Sequence, residues 1–504
     1  MGDRSSSFAD LNSLNDGILC NPPSSKKSTL IRRNDAIKDS SQTFRQDLCN
    51  DFLLFSNLFY ELRAIEYSAP GSLFLPSPRS GSNRGVFLLD ENPRPNTCPL
   101  HQLQVEFHWK VTKELVPDTL PKFLNNTFRQ GIRSLVLESL EHLRVSGFGL
   151  LTWTNAWKSL DAVGVGDSLR QEHERLLGNV TSFTISGLQT SEMSFNVKGK
   201  YGEHEVRCLK RKLLLETLSN ELFSGTIRYS SKVVCIEESS FFKLVHLADG
   251  KIIKTKWWRN GWGFKKPAFT GRSAIRDLAN FEIRHGFEPL FMQFFRHGVR
   301  CSAMPFDDKS IYWAFTWAPS TQEERELEEK PEQMRQYIMS KLGNIPEKVR
   351  SVIENTELEA FSSSPLRYRP PLELLLGNIN KGNVCVTGDA LHPMTPDIGQ
   401  GGCSALEDGV VLARCLGEAL LEMKQNSVEA REEYKRIEMG LKKYAKERRW
   451  RSFDLTSIAY VVGSIQESHG KVISFLREKL FAAILAGLLL KRADFDCGKL
   501  LHIA

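Results

Sequence analysis

Residues 382–416 read GNVCVTGDALHPMTPDIGQGGCSALEDGVVLARCL, the order of a buried strand, a turn, a glycine-rich loop and a helix start. Val384, Cys385 and Val386 form a short apolar run with β-branched residues, as expected of a strand buried on both faces of a parallel sheet. Gly388 and Asp389 end it. A carboxylate at the carboxyl end of such a strand accepts hydrogen bonds from ribose or ribityl hydroxyls, and the adjoining glycine lets a ligand approach the backbone. Pro393 and Pro396 stiffen the connection. In Gly399-Gln400-Gly401-Gly402 the glycines free the backbone to turn N–H groups toward an acceptor just before a helix, where the helix dipole also favours negative charge. Leu406, Val410, Ala413, Leu416 and Leu420 recur at helical spacing and face a core, which assigns Glu407, Asp408 and Arg414 to the helix's other face.

A strand followed by Gly-Asp occurs in many doubly wound domains, so the dipeptide alone decides little. The longer pattern is more specific: Gly388-Asp389-Ala390, His392, Pro393, Pro396, the GQGG run and Glu407-Asp408 resemble the second flavin-binding signature of the FAD-dependent aromatic hydroxylases. The GQGG backbone then suits the N1/O2 edge of a reduced flavin. The resemblance runs from about Gly131 to the C-terminus through LVLES, TWTNAWKSLDAVGVGDSLR, KRKLLLETL, SSSPLRYRPP and KRADFDCGKL. Within the family, the chain is similar to plant FAD-dependent monooxygenases of the salicylate hydroxylase and zeaxanthin epoxidase kind.

The fold class this implies is α/β: an incomplete doubly wound FAD-binding domain, an inserted mixed β-sheet substrate domain and C-terminal helices. The expected divisions are an unrelated, largely irregular region 1–130, a discontinuous FAD-binding domain 131–265 and 381–430, a substrate sheet 266–380 and a helical region 431–504. The first part differs in composition, with serine patches and frequent prolines, whereas no proline lies between Gly131 and Lys266. From Gly131 onward, Ser134-Leu135-Val136-Leu137 reads as a buried strand ending in Glu138, an acid placed to accept hydrogen bonds from an adenosine ribose. The resemblance adds Arg144 near the flavin and Arg211, in the basic opening of an amphipathic helix, as an arginine that approaches the cofactor. Lys243–Leu247, Pro289–Phe295 and Ser310–Trp317 read as strands. Phe294, Phe295, Tyr312, Trp313, Phe315 and Trp317 either line an apolar substrate pocket or form ordinary core.

The chemistry the resemblance implies is monooxygenation. NAD(P)H reduces FAD, dioxygen is captured as a flavin C4a-hydroperoxide, and one oxygen atom passes to an aromatic or apolar small molecule. No catalytic side-chain nucleophile is required, and none stands out.

Composition fits without selecting this class. A chain of 504 residues with 41% hydrophobic content buries a large core. Its net charge of +7 is mild, and the basic cluster Lys442, Lys443, Lys446, Arg448, Arg449 and Arg451 reads as a solvated helix face, which argues against nucleic acid. The ten cysteines are scattered without metal-ligand spacing and imply a reducing compartment, the cytoplasm, with a plastid as the alternative. The first fifty residues lack a continuous apolar segment, so no secretory signal is expected. The apolar run Leu480–Leu490 is too short to span a bilayer and reads as a packed terminal helix, with membrane-surface contact by 474–490 as the minority reading.

Two departures from the family matter. The G-x-G-x-x-G turn expected roughly twenty residues before Glu138 is absent; the chain there reads PDTLPKFLNNTFRQ, with no glycine between Gly85 and Gly131. After LVHLADGKIIKTK, the family's buried strand and Asp-Gly turn give way to Trp257-Trp258-Arg259-Asn260-Gly261-Trp262, so one strand is expected to be lost along with a phosphate contact. The alternative to a working enzyme is a catalytically inactive relic that acts as a binding protein.

Overall fold

The structure, a computed structural model, describes residues 108–109, 134–143, 149–183, 188–256, 258–259, 264–296, 298–319, 330–343, 345–358, 361–421, 429–467 and 482–500. The signature segment takes the predicted order, in shortened form. Val384–Cys385 is the strand, Gly388–Ala390 and Pro396–Ile398 are single 3₁₀ turns, and the helix runs Gly401–Leu421.

The strand belongs to a four-stranded sheet in the order His108–Trp109, Trp258–Arg259, Val384–Cys385, Asn380–Lys381, with the first three parallel and the last antiparallel. This corrects two expectations. The replacement segment does not cost the sheet a strand, because Trp258–Arg259 pairs with Val384–Cys385 on one side and His108–Trp109 on the other. His108–Trp109, from the stretch before 130, also pairs into this sheet and lies beside Val136–Leu137. Backbone pairing needs extended residues at the right place rather than a particular sequence, so a foreign aromatic segment can fill the position. Val136–Leu137 itself pairs in parallel with Ile227–Arg228.

A seven-stranded sheet lies next in the chain's architecture, in the order Ser362–Tyr368, Ala268–Asn280, Ser310–Trp317, Val299–Pro305, Leu290–Arg296, Gly178–Phe183, Leu188–Ser194. The division at 265 therefore does not describe it, since two of its strands come from within 131–265. The join is the parallel pairing of Gly178–Phe183 with Leu290–Arg296. A parallel pair needs a long crossover and carries no local turn signal, which is why sequence reading missed it. Alternation sorts the sheet's faces. Ile275, Phe294, Cys301, Trp313, Phe315 and Trp317 form an outer core with helices Pro331–Leu342 and Glu347–Glu354. Of the proposed pocket aromatics, Phe294, Trp313, Phe315 and Trp317 are thus ordinary core. Phe291, Met304 and Tyr312 face inward and pack with Trp153, Ile398 and Leu406.

The Gly401–Leu421 helix is enclosed rather than amphipathic. Helix Thr154–Val163 packs on it through Trp157, Leu160 and Val163, and the long helix Ala430–Glu467 through Leu441, Tyr444 and Ala445. On the helix's other face Glu407 and Asp408 are fully buried, while Arg414 reaches the rim and pairs with Glu447 at 2.6 Å. Within the basic cluster, Lys442, Lys443 and Lys446 are exposed, but Arg448 and Arg451 are buried. The long helix also contributes Leu455, Ala459 and Val462 to the inner core, so the described residues of this helix share that core with the seven-stranded sheet. Helix Ala482–Ala493 buries Leu489 and Ala493 in that core, which suits a packed terminal helix. Among the described residues, no helix is long and apolar enough to cross a membrane.

Candidate functional site

The loop between the signature strand and helix is held by side chains from all around it. Gly388 has φ 57°, the left-handed region that glycine enters without strain. Its N–H donates to Asp408 Oδ2 at 2.5 Å, and its carbonyl accepts the N–H groups of Leu391 (2.8 Å) and His392 (2.9 Å). Arg369, at the end of the outer sheet strand, donates to the carbonyls of Leu391 (2.7 Å), Ala390 (3.0 Å) and Lys265 (2.9 Å), while its own N–H meets the Pro393 carbonyl at 2.9 Å. Thr395 donates to Ala459 O of the long helix at 3.2 Å. Asp397, inside the same loop, accepts from Arg272 (2.8 and 3.1 Å) and Arg300 (3.2 Å), both on the seven-stranded sheet. Burial pushes the Asp397 carboxyl upward, but the Arg272 and Arg300 guanidinium groups outweigh it and hold it below the usual carboxylate range.

Beneath the loop lies a buried ion network. Arg448 Nε donates to Asp408 Oδ1 and Nη1 to Glu407 Oε2, each at 2.5 Å, and Nη2 reaches Ser404 Oγ (2.8 Å) and its carbonyl (3.1 Å). Arg451 donates to Glu407 Oε1 at 2.8 Å, and Asn155 Nδ2 donates to that oxygen at 2.6 Å. Asn155 also donates to Gln400 Oε1 at 2.8 Å, which ties helix Thr154–Val163 to the GQGG run. Burial alone would raise both carboxyls, yet the arginines hold Asp408 and Glu407 well below the ordinary range; the carboxylates in turn raise Arg448 against its own burial. Glu407, Asp408, Arg448 and Arg451 are each paired with opposite charge, the condition under which buried ions are tolerated. His392 Nε2 sits 2.9 Å from Asp408 Oδ2, a distance at which an Nε2–H donates to the carboxylate.

The structure brings most of the predicted residues together. Gly388, Asp389, Pro393, Gly399, Gln400, Gly401 and Gly402 line one continuous turn. Gly399 has φ 61°, and a Cβ there would lie 3.0 Å from Trp153 Nε1. A Cβ on Gly402 would touch Leu150, whose strand Gly149–Thr152 pairs with Arg207–Lys210, so Arg211 follows directly from a neighbouring strand. Arg211 is buried in the first turn of helix Arg211–Asn220. Glu138 is buried at the end of its strand, with Oε1 accepting the Leu140 N–H at 3.0 Å. Val384 packs against the cluster holding Leu135 and Leu137, so this strand end stands beside the signature strand. Arg144 lies outside the described residues.

Asn155, Arg272, Arg300, Arg369, Asp397, Glu407, Asp408, Arg448 and Arg451 were missed as site residues. One signal was available: adjacent acids within an otherwise apolar helix demand buried cations, and Arg448 and Arg451 stand three apart, one helix face.

The residues present suit a flavin at this loop. The Gln400 Nε2 is buried without a protein partner, the first-turn N–H groups of a long helix lack intrahelical acceptors, and glycines stand where a side chain would block approach.

Comparison with known proteins gives the following. A family model described as an FAD binding domain matches residues 291–438. Monooxygenase 2 of Arabidopsis thaliana is 49% identical over 389 residues, covering 74% of this chain and 93% of that protein. Monooxygenase 1 of the same plant is 31% identical over 390 residues, covering 74% and 94%. Among solved structures, Klebsiella pneumoniae HpxO complexed with FAD and uric acid superposes with a TM-score of 0.63 at 19% identity, covering 78% of this chain and 98% of that one, a likeness of fold.

Proposed function

The chain belongs to the FAD-dependent monooxygenases, and from that premise we propose that it hydroxylates or epoxidises an aromatic or apolar small molecule with NAD(P)H and dioxygen, holding FAD firmly at the flavin ring and weakly at the pyrophosphate. The observation that carries this reading is the clamped loop 388–402. Its shape is fixed by Asp408, Arg448, Arg369 and Asp397 before any ligand arrives, the preorganisation a flavin site needs.

FAD, when bound, supplies the redox chemistry and the oxygen transfer. The chain's own residues position it. The Gly401 and Gly402 N–H groups, at the positive end of the helix, would donate to the ring's pyrimidine edge and favour negative charge there. Glu138, with Oε1 engaged by Leu140, keeps Oε2 for ribose hydroxyls. Asp389 would accept from the ribityl chain, and Arg211 would approach from the adjacent helix start. Leu150, Leu151 and Trp153 keep water from the loop's underside.

The missing G-x-G-x-x-G and Asp-Gly turns remove charge-assisted hydrogen bonds to phosphate, each contributing about 1.5–3 kcal/mol. Losing two such turns lowers FAD affinity by several orders of magnitude. That loss favours the second reading, a binding protein of the same fold without turnover. The absorbance spectrum of the purified protein tests both. Substoichiometric flavin, with NAD(P)H oxidation restored by added FAD, fits the proposal. A stoichiometric flavin spectrum overturns weak pyrophosphate binding, and absence of FAD binding at any concentration leaves the inactive relic.

A further inference from the structure

The inner face of the seven-stranded sheet carries a polar row that no step above uses. Strand register places Thr181 opposite Gln293 and Gln293 opposite Ser302. Thr316 lies in the next row, opposite Arg300. This row is bracketed by contacts to the flavin loop. On one side Phe291, Met304 and Tyr312 pack with Ile398 and Leu406, and on the other Arg300 bonds Asp397. The polar row between them therefore faces the same loop.

These side chains are more than nine-tenths buried, yet they are not sealed. Among the described residues, the Ser302 and Thr316 hydroxyls and Gln293 Oε1 engage no partner, and none of them is among the fully enclosed unpaired atoms. Each borders a reachable space. Gln293 is also oriented: its Nε2 donates to Asn179 Oδ1 at 2.7 Å, and Asn179 Nδ2 donates to Thr181 Oγ1 at 3.1 Å. In this arrangement the Gln293 amide presents Oε1 as its open acceptor. Phe295, on the same face beside Gln293, supplies a flat apolar wall.

We propose that Gln293, set by the Thr181–Asn179 relay, is the specificity-determining residue of this monooxygenase site and selects a ring ligand presenting an O–H or N–H donor over an apolar olefin of similar size. The inference rests on the proposed function for the site's purpose and on the sheet geometry for its selectivity. A buried acceptor left unpaired by a ligand that lacks the donor costs affinity, so methylating that donor is penalised more than its bulk implies.

The test uses the purified full-length chain, supplemented with FAD, and two matched probe pairs: 2-naphthol with 2-methoxynaphthalene, and 2-quinolone with 1-methyl-2-quinolone. Binding is read by fluorescence titration. The donor-bearing members are expected to bind at least tenfold more tightly, and Gln293→Leu to reduce that preference below twofold. Asn179→Leu, which frees the amide to flip, should erode it, while Asn179→Asp, which still accepts from Gln293 Nε2, should retain it. Equal binding within pairs, an unchanged preference in Gln293→Leu, or binding of no probe overturns the proposal. NAD(P)H oxidation measured in the same samples separates the two claims. Donor-selective binding without turnover sinks the proposed activity alone, and turnover of an apolar olefin unaffected by Gln293→Leu sinks the specificity alone.

Discussion

Replacing Arg448 by Met removes the cation on which the signature helix depends. Arg448 is fully buried and donates to Asp408, Glu407 and Ser404. Met occupies similar volume but neutralises nothing. Glu407 retains Arg451 and Asn155, whereas Asp408 is left with His392 and the Gly388 N–H. Breaking one partner from a buried pair costs about 3–5 kcal/mol, a large part of a typical total stability of about 5–15 kcal/mol. The deficit should depend on pH. In the native protein the Asp408 pKa is depressed, so its stabilisation is complete above the unfolded-state value and is lost only as pH falls below it. In Arg448→Met the buried carboxyl is no longer compensated and its pKa rises above the unfolded value, so the variant loses stability as pH increases through that range. Urea unfolding at pH 8 and pH 5 should show the larger deficit at pH 8. Flavin affinity should fall too, because Asp408 positions Gly388 and His392. A cost below about 1 kcal/mol, or a deficit equal at both pH values, would refute the ion network as the clamp of this loop.

Gly463→Ala inverts a general rule. Ala in a helix interior is ordinarily about 1 kcal/mol better than Gly, but a Cβ at 463 would collide with Arg272 Nη2 and lie 2.5 Å from Asp397 Oδ2. The substitution should destabilise, with thermal melting lowered rather than raised. Asp277, on the sheet's outer side, has one carboxylate oxygen bonded to the Leu278 N–H at 2.6 Å and the other unpaired. Burial pushes its pKa up to about 7, opposed by that N–H and aided by Glu357. Its folded value thus exceeds the unfolded one, and stability is lost as pH rises from about 4 to 7. Asp277→Asn should raise the melting temperature at pH 8 and leave it nearly unchanged at pH 4; an equal effect at both would exclude the burial penalty.

The family and the glycine turn were legible because they depend on local chemistry. Gly388 and Gly399 do occupy the left-handed region, and the strand, loop and helix follow each other within a few residues. What covers the Gly401–Leu421 helix was not legible. Its Leu406, Val410, Ala413 and Leu416 spacing marks one core-facing side, and although the adjacent acids Glu407 and Asp408 demand cations, local sequence does not say that Arg448 and Arg451, about 40 residues on, supply them. The same limit hid the strand Gly178–Phe183, whose parallel partner lies beyond a long crossover, and the entry of Trp258–Arg259 into the sheet.

Sequence by itself determined the ancestry of this chain, the glycine-rich turn and the absence of the G-x-G-x-x-G glycines, since each is written in residues adjacent along the backbone. Tertiary structure alone decided which charges are buried, which face of the sheet meets the loop, and how Gln293 is oriented. Those depend on desolvation and on strand register, and both arise only when distant segments pack against one another.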